Sequence, residues 1–334
     1  MGAVVTPRIT IVTRETRLKG LLQRCATKGM MGYNFKQARV AAAVQTGNMG
    51  EAAAAQHADA DELLMDIEEE DENYKGAVGQ LNRDLDFGMP VQVIDRAYVP
   101  NYDFGLCEAV VVVGQDGLVA NTAKYVGNVP IVAVNPDPAR FDGVLLPFQI
   151  HEARDAVSRV LNQRAKTRSV TLAEVTLHDG QKMLAFNDLF IGVKSHVSAR
   201  YRLRIGDHEE QQSSSGVLVS TGAGSSGWMS SVFNMVSGVA QSLGAQAISG
   251  ARYQLKWEDP QLLWAVREPF VSRTSSASLV AGLLPEGATI ELESKTPANG
   301  VIFSDGIESD FLEFNSGTIA HIGVAAQRAK LVVK

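Results

Sequence analysis

The stretch Val110-Val111-Val112-Val113-Gly114-Gln115-Asp116-Gly117 decides how the first half of this chain is read. Four consecutive β-branched residues describe a strand buried on both faces, the habit of parallel sheets covered by helices. Two glycines then bracket an acid, and a helical pattern opens immediately after it. Glycine lets the backbone turn sharply and approach a ligand closely. Free N–H groups at a helix start favour an anion such as phosphate. An acid in that place would face the same anion, which is unfavourable unless it does chemistry or works through a cation. The plainer reading is a β-turn in which Asp116 caps the helix. Gly-x-Asp-Gly alone does not choose between the two.

Working outward, short β-branched runs at 9–12, 91–94 and 131–134 match the run at 110–113, with helix-length segments at 51–71 and 118–125 between them. From about Arg168 the pattern changes. Residues 170–177, 183–193, 200–205, 216–220, 289–293, 301–304 and 318–324 read as strands. The pairs Asp179-Gly180, Gly206-Asp207 and Asp305-Gly306 are of the kind that close hairpins. The spacing therefore predicts a strand–helix unit followed by a mostly antiparallel β unit, with one long helix after Ser225. Two packed units also suit 334 residues.

Composition excludes several classes. With 45% hydrophobic and 20% charged residues, the chain is neither disordered nor fibrous. A net charge of −6 argues against a general grip on nucleic-acid phosphate. Two cysteines, Cys25 and Cys107, are too few for a disulfide framework and lack metal-ligand spacing. No run approaches the roughly 18 apolar residues of a membrane span. The expected protein is reduced and cytoplasmic, with no nucleic-acid or membrane partner and no resident metal. Met1-Gly2 and Thr6 formally match a myristoylation signal, but they lead straight into an ordinary first strand. The six histidines (His57, His151, His178, His196, His208 and His321) are scattered and read as structural. Basic residues from Arg14 to Arg39 precede an acidic stretch from Asp59 to Glu72. The simpler reading pairs two helices through these charges. The sharper one puts some of the arginines beside phosphates, because α/β sheets bind ligands at the carboxyl ends of their strands.

Two further segments carry chemistry. Thr221-Gly222-Ala223-Gly224-Ser225-Ser226-Gly227 precedes Trp228 and a helix, and its glycines spell the dinucleotide fingerprint. That fingerprint wants an acid about 20 residues on, yet no Asp or Glu lies between Trp228 and Trp257. The dehydrogenase reading is set aside, and a hydroxyl-rich turn able to cradle phosphate or sugar remains. Asn187-Asp188 interrupts an apolar strand. It is either a bulge bonded to its own backbone or a pair that binds ribose hydroxyls.

In this order the segments resemble ATP-dependent NAD kinases. Gly114-Gln115-Asp116-Gly117 stands for the family's Gly-Gly-Asp-Gly, Asn187-Asp188 for its Asn-Glu, and Thr221 to Trp228 for its Thr-Pro-Thr-Gly-Ser-Thr-Ala-Tyr loop, with Asp305-Gly306 as its late Asp-Gly. Residues 134–140, Leu146-Pro147 and Ser214-Ser215-Gly216 are closest to the mitochondrial-type branch. The resemblance implies a Rossmann-like α/β domain over 1–140 and an all-β sandwich domain over 141–324, with residues 325–334 packing back on the first. It implies a homodimer or higher homo-oligomer, and transfer of the γ-phosphoryl of Mg-ATP to the 2′-hydroxyl of the adenosine ribose of NAD, giving NADP. Asp116 would be the catalytic base, and its carboxylate could also help place Mg²⁺. Gly114, Gln115 and Gly117 would bind phosphate. Gly117, Asn187, Asp188, Thr221, Ser226, Gly227, Trp228 and Ser231 would bind NAD. Three departures stand out: Gln115 replaces glycine, Leu118 replaces threonine, and Asp188 is one methylene shorter than glutamate. If position 115 needs a positive φ, glutamine there costs about 1 kcal/mol or more.

Overall fold

The structure, a computed structural model, describes residues 6–25, 27–45, 60–244 and 254–334. The lipidation match at residues 1–5, His57, Asp59 and the first part of the helix expected over 51–71 lie outside the described residues.

Five parallel strands form the amino-terminal layer: β1 (Arg8–Thr13), β2 (Val91–Asp95), β3 (Cys107–Val113), β4 (Ile131–Asn135) and the short β5 (Phe148–Gln149). They lie in the order β2-β1-β3-β4-β5. The valine run behaves as its composition dictates. Val110 and Val112 face one core, while Val111 and Val113 face the other. Helices α1 (Arg17–Cys25), α2 (Lys28–Gln45), α3 (Ala60–Asp84), α4 (Asp116–Ala123) and α5 (Ile150–Leu161) surround this layer. Tyr74 and Leu81 of α3, Leu85 just past its end, and Ala153, Ala156 and Val157 of α5 cover one face, and Leu118, Val119 and Ala123 of α4 cover the other. The two charged stretches do pair across helices: Arg14 bonds Glu70 at 2.7 Å and Lys28 bonds Glu68 at 2.5 Å.

The remaining strands are β6 (Thr167–Leu177), β7 (Lys182–Ala185), β8 (Asp188–Val193), β9 (Ala199–Ile205), β10 (His208–Ser214), β11 (Gly216–Ser220), β12 (Gln261–Arg267), β13 (Ala281–Pro285), β14 (Ile290–Ser294), β15 (Gly300–Ser304), β16 (Phe311–Glu313) and β17 (Ile319–Val332), with α6 (Trp228–Ser242) between β11 and β12. One antiparallel sheet runs β13-β12-β11-β8-β15-β16. The other strands extend the parallel layer: β17 meets β4 through Leu331 and Ile131, then leads to β14, β9 and β10, with β6 and β7 alongside. Leu189, Ile191, Val217, Val219, Trp264 and Ile302 of the first sheet interlock with Val175, Tyr201, Leu203, Ile290, Leu292 and Ile322 of the second to make a sandwich core. The chain is thus an α/β layer followed by an all-β sandwich.

The single strand expected over 183–193 is two strands in different sheets. Residues 186 and 187 leave the ladder because a distant carboxylate takes their amides, as described below. Ile191 is fully buried between the two sheets, so Ile191→Ala should lower unfolding free energy by about 2–5 kcal/mol. The check is a denaturant titration, in which the midpoint falls while the slope is kept. A loss under about 1 kcal/mol would contradict this packing.

Candidate functional site

The acid turn sits where β3 ends and α4 begins. Gln115 is exposed and extended, with φ −114° and ψ 164°, so the strain expected of a non-glycine residue is absent. A β-carbon on Gly117 would meet nothing within 4 Å, which leaves open space above the turn. Asp116 is the first residue of α4 and does not cap it. Its carboxylate accepts the amides of Leu145 at 2.9 Å and Val144 at 3.1 Å, tying that loop to the turn. Each oxygen keeps a second acceptor direction.

A cavity of about 580 Å³ opens beside Gln115, lined also by Arg14, Arg17, Asp95, Arg96 and Phe141. Three acids also line it: Glu70 holds Arg14 at 2.7 Å, Asp95 accepts the Ala97 amide at 2.9 Å, and Glu15 accepts from the Gln23 side chain. Arg17 and Arg96 are exposed, and neither has a side-chain partner among the described residues. Three arginines therefore face three carboxylates around this cavity, and Arg17 and Arg96 are the cations without a side-chain counter-ion among the described residues, placed at the carboxyl end of the parallel layer where such sheets bind phosphates.

The Asn187-Asp188 turn is organised by Asp305. This buried carboxylate accepts the amides of Phe186 at 3.1 Å, Asn187 at 2.6 Å and Asp188 at 3.2 Å. Lys124, one residue past α4, lies 3.5 Å from Asp305 and donates to Ser304 at 2.8 Å. Burial pushes the Asp305 pKa upward, against the pull of Lys124 and the three amides. All four partners donate, so the anion is the form this nest holds. Asp188 pairs with Ser220 across β8 and β11. Its Oδ1 is sealed from solvent and has no hydrogen-bond partner among the described residues. Burial, reinforced by the charge of Asp305 and opposed by the Ser220 hydroxyl, raises its pKa to about 7.

The third segment splits into a buried part and an exposed part. Thr221 is fully buried, where it donates to the Phe186 carbonyl at 2.5 Å through its hydroxyl and to the Asn187 carbonyl at 2.9 Å through its amide. A β-carbon on Gly224 would come within 2.3 Å of the Asn187 carbonyl oxygen, and one on Gly222 within 1.8 Å of the Lys256 oxygen. These glycines serve close backbone packing inside the protein. Ser226, Gly227 and Ser231 are exposed. Trp228 stacks on Phe190 with centroids 5.5 Å apart, Phe303 flanks Phe190 at 4.9 Å, and Arg267 sits 5.3 Å from the Trp228 ring. These four side chains, with Lys194 and Glu308, line a cavity of about 390 Å³. Phe190 lies two residues beyond Asp188, on the same face of β8.

The three segments border one core, to which Leu118, Leu145, Leu146 and Phe186 belong and against which Ala223 packs, and they are joined by Lys124–Asp305, by Asp305 with the Asn187 amide and by Thr221 with the Phe186 and Asn187 carbonyls. Phe190, Arg267, Phe303, Arg96 and Lys124 did not stand out from the sequence. Only Lys124 had a signal, being the one charge between Asp116 and Asp137. Among the described residues no cluster of three His, Cys, Asp or Glu could hold a metal, and no helix is long and apolar enough to cross a membrane.

The fold and turns define an α/β-plus-sandwich protein with an acid-bearing turn at the carboxyl edge of its parallel sheet. No protein-family model matches the chain, and no curated protein matches it by sequence. Among solved structures it is similar to yeast NADH kinase complexed with NADH, with a TM-score of 0.53 and 16% identity over 98% of this chain and 84% of that one. The likeness establishes an NAD kinase-like fold and does not extend to the mitochondrial-type branch.

The raised Asp188 pKa has a stability consequence. Between about pH 4 and pH 7 the folded protein binds a proton at Asp188 that the unfolded chain has released, so stability falls as pH rises through that window. Asp188→Asn should remove a decline on the order of 1–4 kcal/mol. Denaturation midpoints at pH 4 and pH 8 for both proteins test this, and equal declines would show that Asp188 is not desolvated.

Proposed function

We propose that the protein is an ATP-dependent NAD kinase that moves the γ-phosphoryl group to the 2′-hydroxyl of the adenosine ribose of NAD. The observation that carries this reading is the meeting of the Asp116 turn with the Asn187-Asp188 and Thr221–Trp228 segments around one core. The donor's phosphates, brought as Mg-ATP, fit the cavity beside Gln115, where Arg17 and Arg96 have no side-chain counter-ion among the described residues and can neutralise charge. NAD fits the Asp188 and Trp228 side: Asp188 Oδ1 needs a donor, which a ribose hydroxyl supplies, and the Trp228 ring offers a face for a planar ring. Gly117, Asn187, Ser226, Gly227 and Ser231 complete that side, while Thr221 acts from beneath through Phe186 and Asn187. Asp116, braced by two loop amides, takes the hydroxyl proton in a spare acceptor direction as attack proceeds. Positioning and charge neutralisation supply most of the rate, as in phosphoryl transfer generally.

A second reading, a dinucleotide-binding protein without turnover, is favoured by a specific observation: Gln115 is exposed on the cavity wall, where its side chain competes for phosphate space. Purified protein with Mg-ATP and NAD should form NADP, and Asp116→Asn should lower kcat about 10²–10⁴-fold. Unchanged NADP formation by Asp116→Asn would remove the base assignment. NAD binding without product, restored to turnover by Gln115→Gly, would establish the second reading.

A further inference from the structure

We infer that Lys124 and Asp305 are positioning residues that join the phosphate turn to the dinucleotide turn, holding Asn187 and Asp188 in the geometry that takes NAD. The inference rests on the kinase reading for the identity of the ligand, though its geometry stands without it.

Three observations carry it. First, the pair spans the two motifs. Lys124 ends the helix that opens with Asp116, and Asp305 grips the turn that bears Asn187 and Asp188. Second, the arrangement is costly by design. Both side chains are 3% exposed, and a buried ion pair gives little or no net stability compared with apolar residues of the same volume. Asp305 also adopts φ +56°, a left-handed conformation that costs a non-glycine residue roughly 1 kcal/mol or more. Third, the carboxylate takes three successive amides, of residues 186, 187 and 188, and thereby dictates the path of that turn. Three convergent amides would otherwise form an anion cradle. Here the protein fills the cradle with its own carboxylate, and the turn is complete before any ligand arrives. Asp305 donates its own amide back to the Asp188 carbonyl at 2.9 Å, closing the clasp. The result leaves Asp188 Oδ1 buried and free to accept.

The charged and titratable groups around the turn are Asp188, Asp305 and Lys124, with Tyr125 and Asp310 paired beyond them at 2.6 Å. Removing the lysine charge leaves Asp305 facing Asp188 without a counter-ion, so the carboxylate should take up a proton and release an amide. A purely structural ion pair would show itself in stability alone. A positioning pair shows itself in one substrate.

The test compares Lys124→Met, Lys124→Arg and Asp305→Asn with the wild type. Calorimetric NAD binding by Lys124→Met should weaken at least tenfold, and KM for NAD should rise similarly. KM for ATP should stay within twofold, while the melting temperature falls, as loss of one partner of a buried pair requires, with the variant still folded at the assay temperature. Lys124→Arg, which keeps the charge, should recover part of the NAD affinity. Amide hydrogen exchange supplies a readout that needs no ligand and no turnover. Asn187 and Asp188 should be protected in the wild type and should exchange at least tenfold faster in Lys124→Met and Asp305→Asn. If the wild type forms no NADP but these amides lose protection and NAD affinity falls with it, the kinase reading fails and the positioning role stands. NAD affinity within twofold of wild type in a folded Lys124→Met, or unaltered protection of residues 186–188, overturns the inference. So does a wild type that binds no dinucleotide.

Discussion

The carboxylate of Asp305 is the constraint on which the candidate site depends. Its three amide contacts pull residues 186 and 187 out of a strand that would otherwise run unbroken and hold Asp188 at the start of the next, so β7 stays with one sheet and β8 begins in the other. From that break follow the placement of Asn187, the seat of Thr221 under the Phe186 carbonyl, and the approach of Gly224 to the Asn187 carbonyl. Lys124 carries the same constraint across to the helix that starts at Asp116. A single buried anion thus organises groups that lie on four different elements. Its desolvation is offset by donors alone, as a buried charge requires.

The two halves of the chain were legible to different degrees for physical reasons. The parallel strands show in the sequence because burial on both faces leaves no room for polar residues, as at 110–113 and 131–134. Strand β10 was not legible. Its sequence His208–Ser214 is polar throughout, and its two buried residues, Gln212 and Ser214, are satisfied by the Tyr201 hydroxyl at 3.0 and 2.7 Å, by the Leu279 carbonyl that takes the Gln212 amide at 2.7 Å, and by the Gly216 amide that donates to Ser214 at 3.0 Å. Pattern reading sees hydrophobic period, and this strand has none. The split at Phe186-Asn187 was hidden because the group that causes it lies 119 positions away along the chain.

The candidate site divides in the same way. Asp116, Asn187 and Asp188 stood out because acids and amides beside glycine turns or inside apolar strands are out of place locally. Arg17 belonged to the basic stretch that the sequence offered to phosphates, but Arg96 did not stand out, because it comes from a separate strand end and looks like an ordinary surface residue in one dimension. The aromatic wall was equally hidden: Phe190 and Phe303 are common strand residues until Trp228 is laid over them. Gln115 ran the other way. The sequence attached strain to that position if it needed a positive φ, and the backbone there is extended. What remains at that position is a question of space for phosphate.

Phe190 also binds three positions into one inherited unit. Its ring occupies the volume that a β-carbon on Gly192 or Gly216 would need, at 2.4 and 2.7 Å, and Gly216 in addition holds φ +120°. Gly192 cannot drift to alanine while the ring stays, Gly216 is fixed as well by the Ile191 carbonyl oxygen at 2.7 Å, and a smaller residue at 190 would strip the floor from beneath the tryptophan. Relatives of this protein should therefore keep the bulky ring and Gly192 together or exchange them together, and keep Gly216 in either case, a linkage visible by comparing descendants even before any ligand is identified.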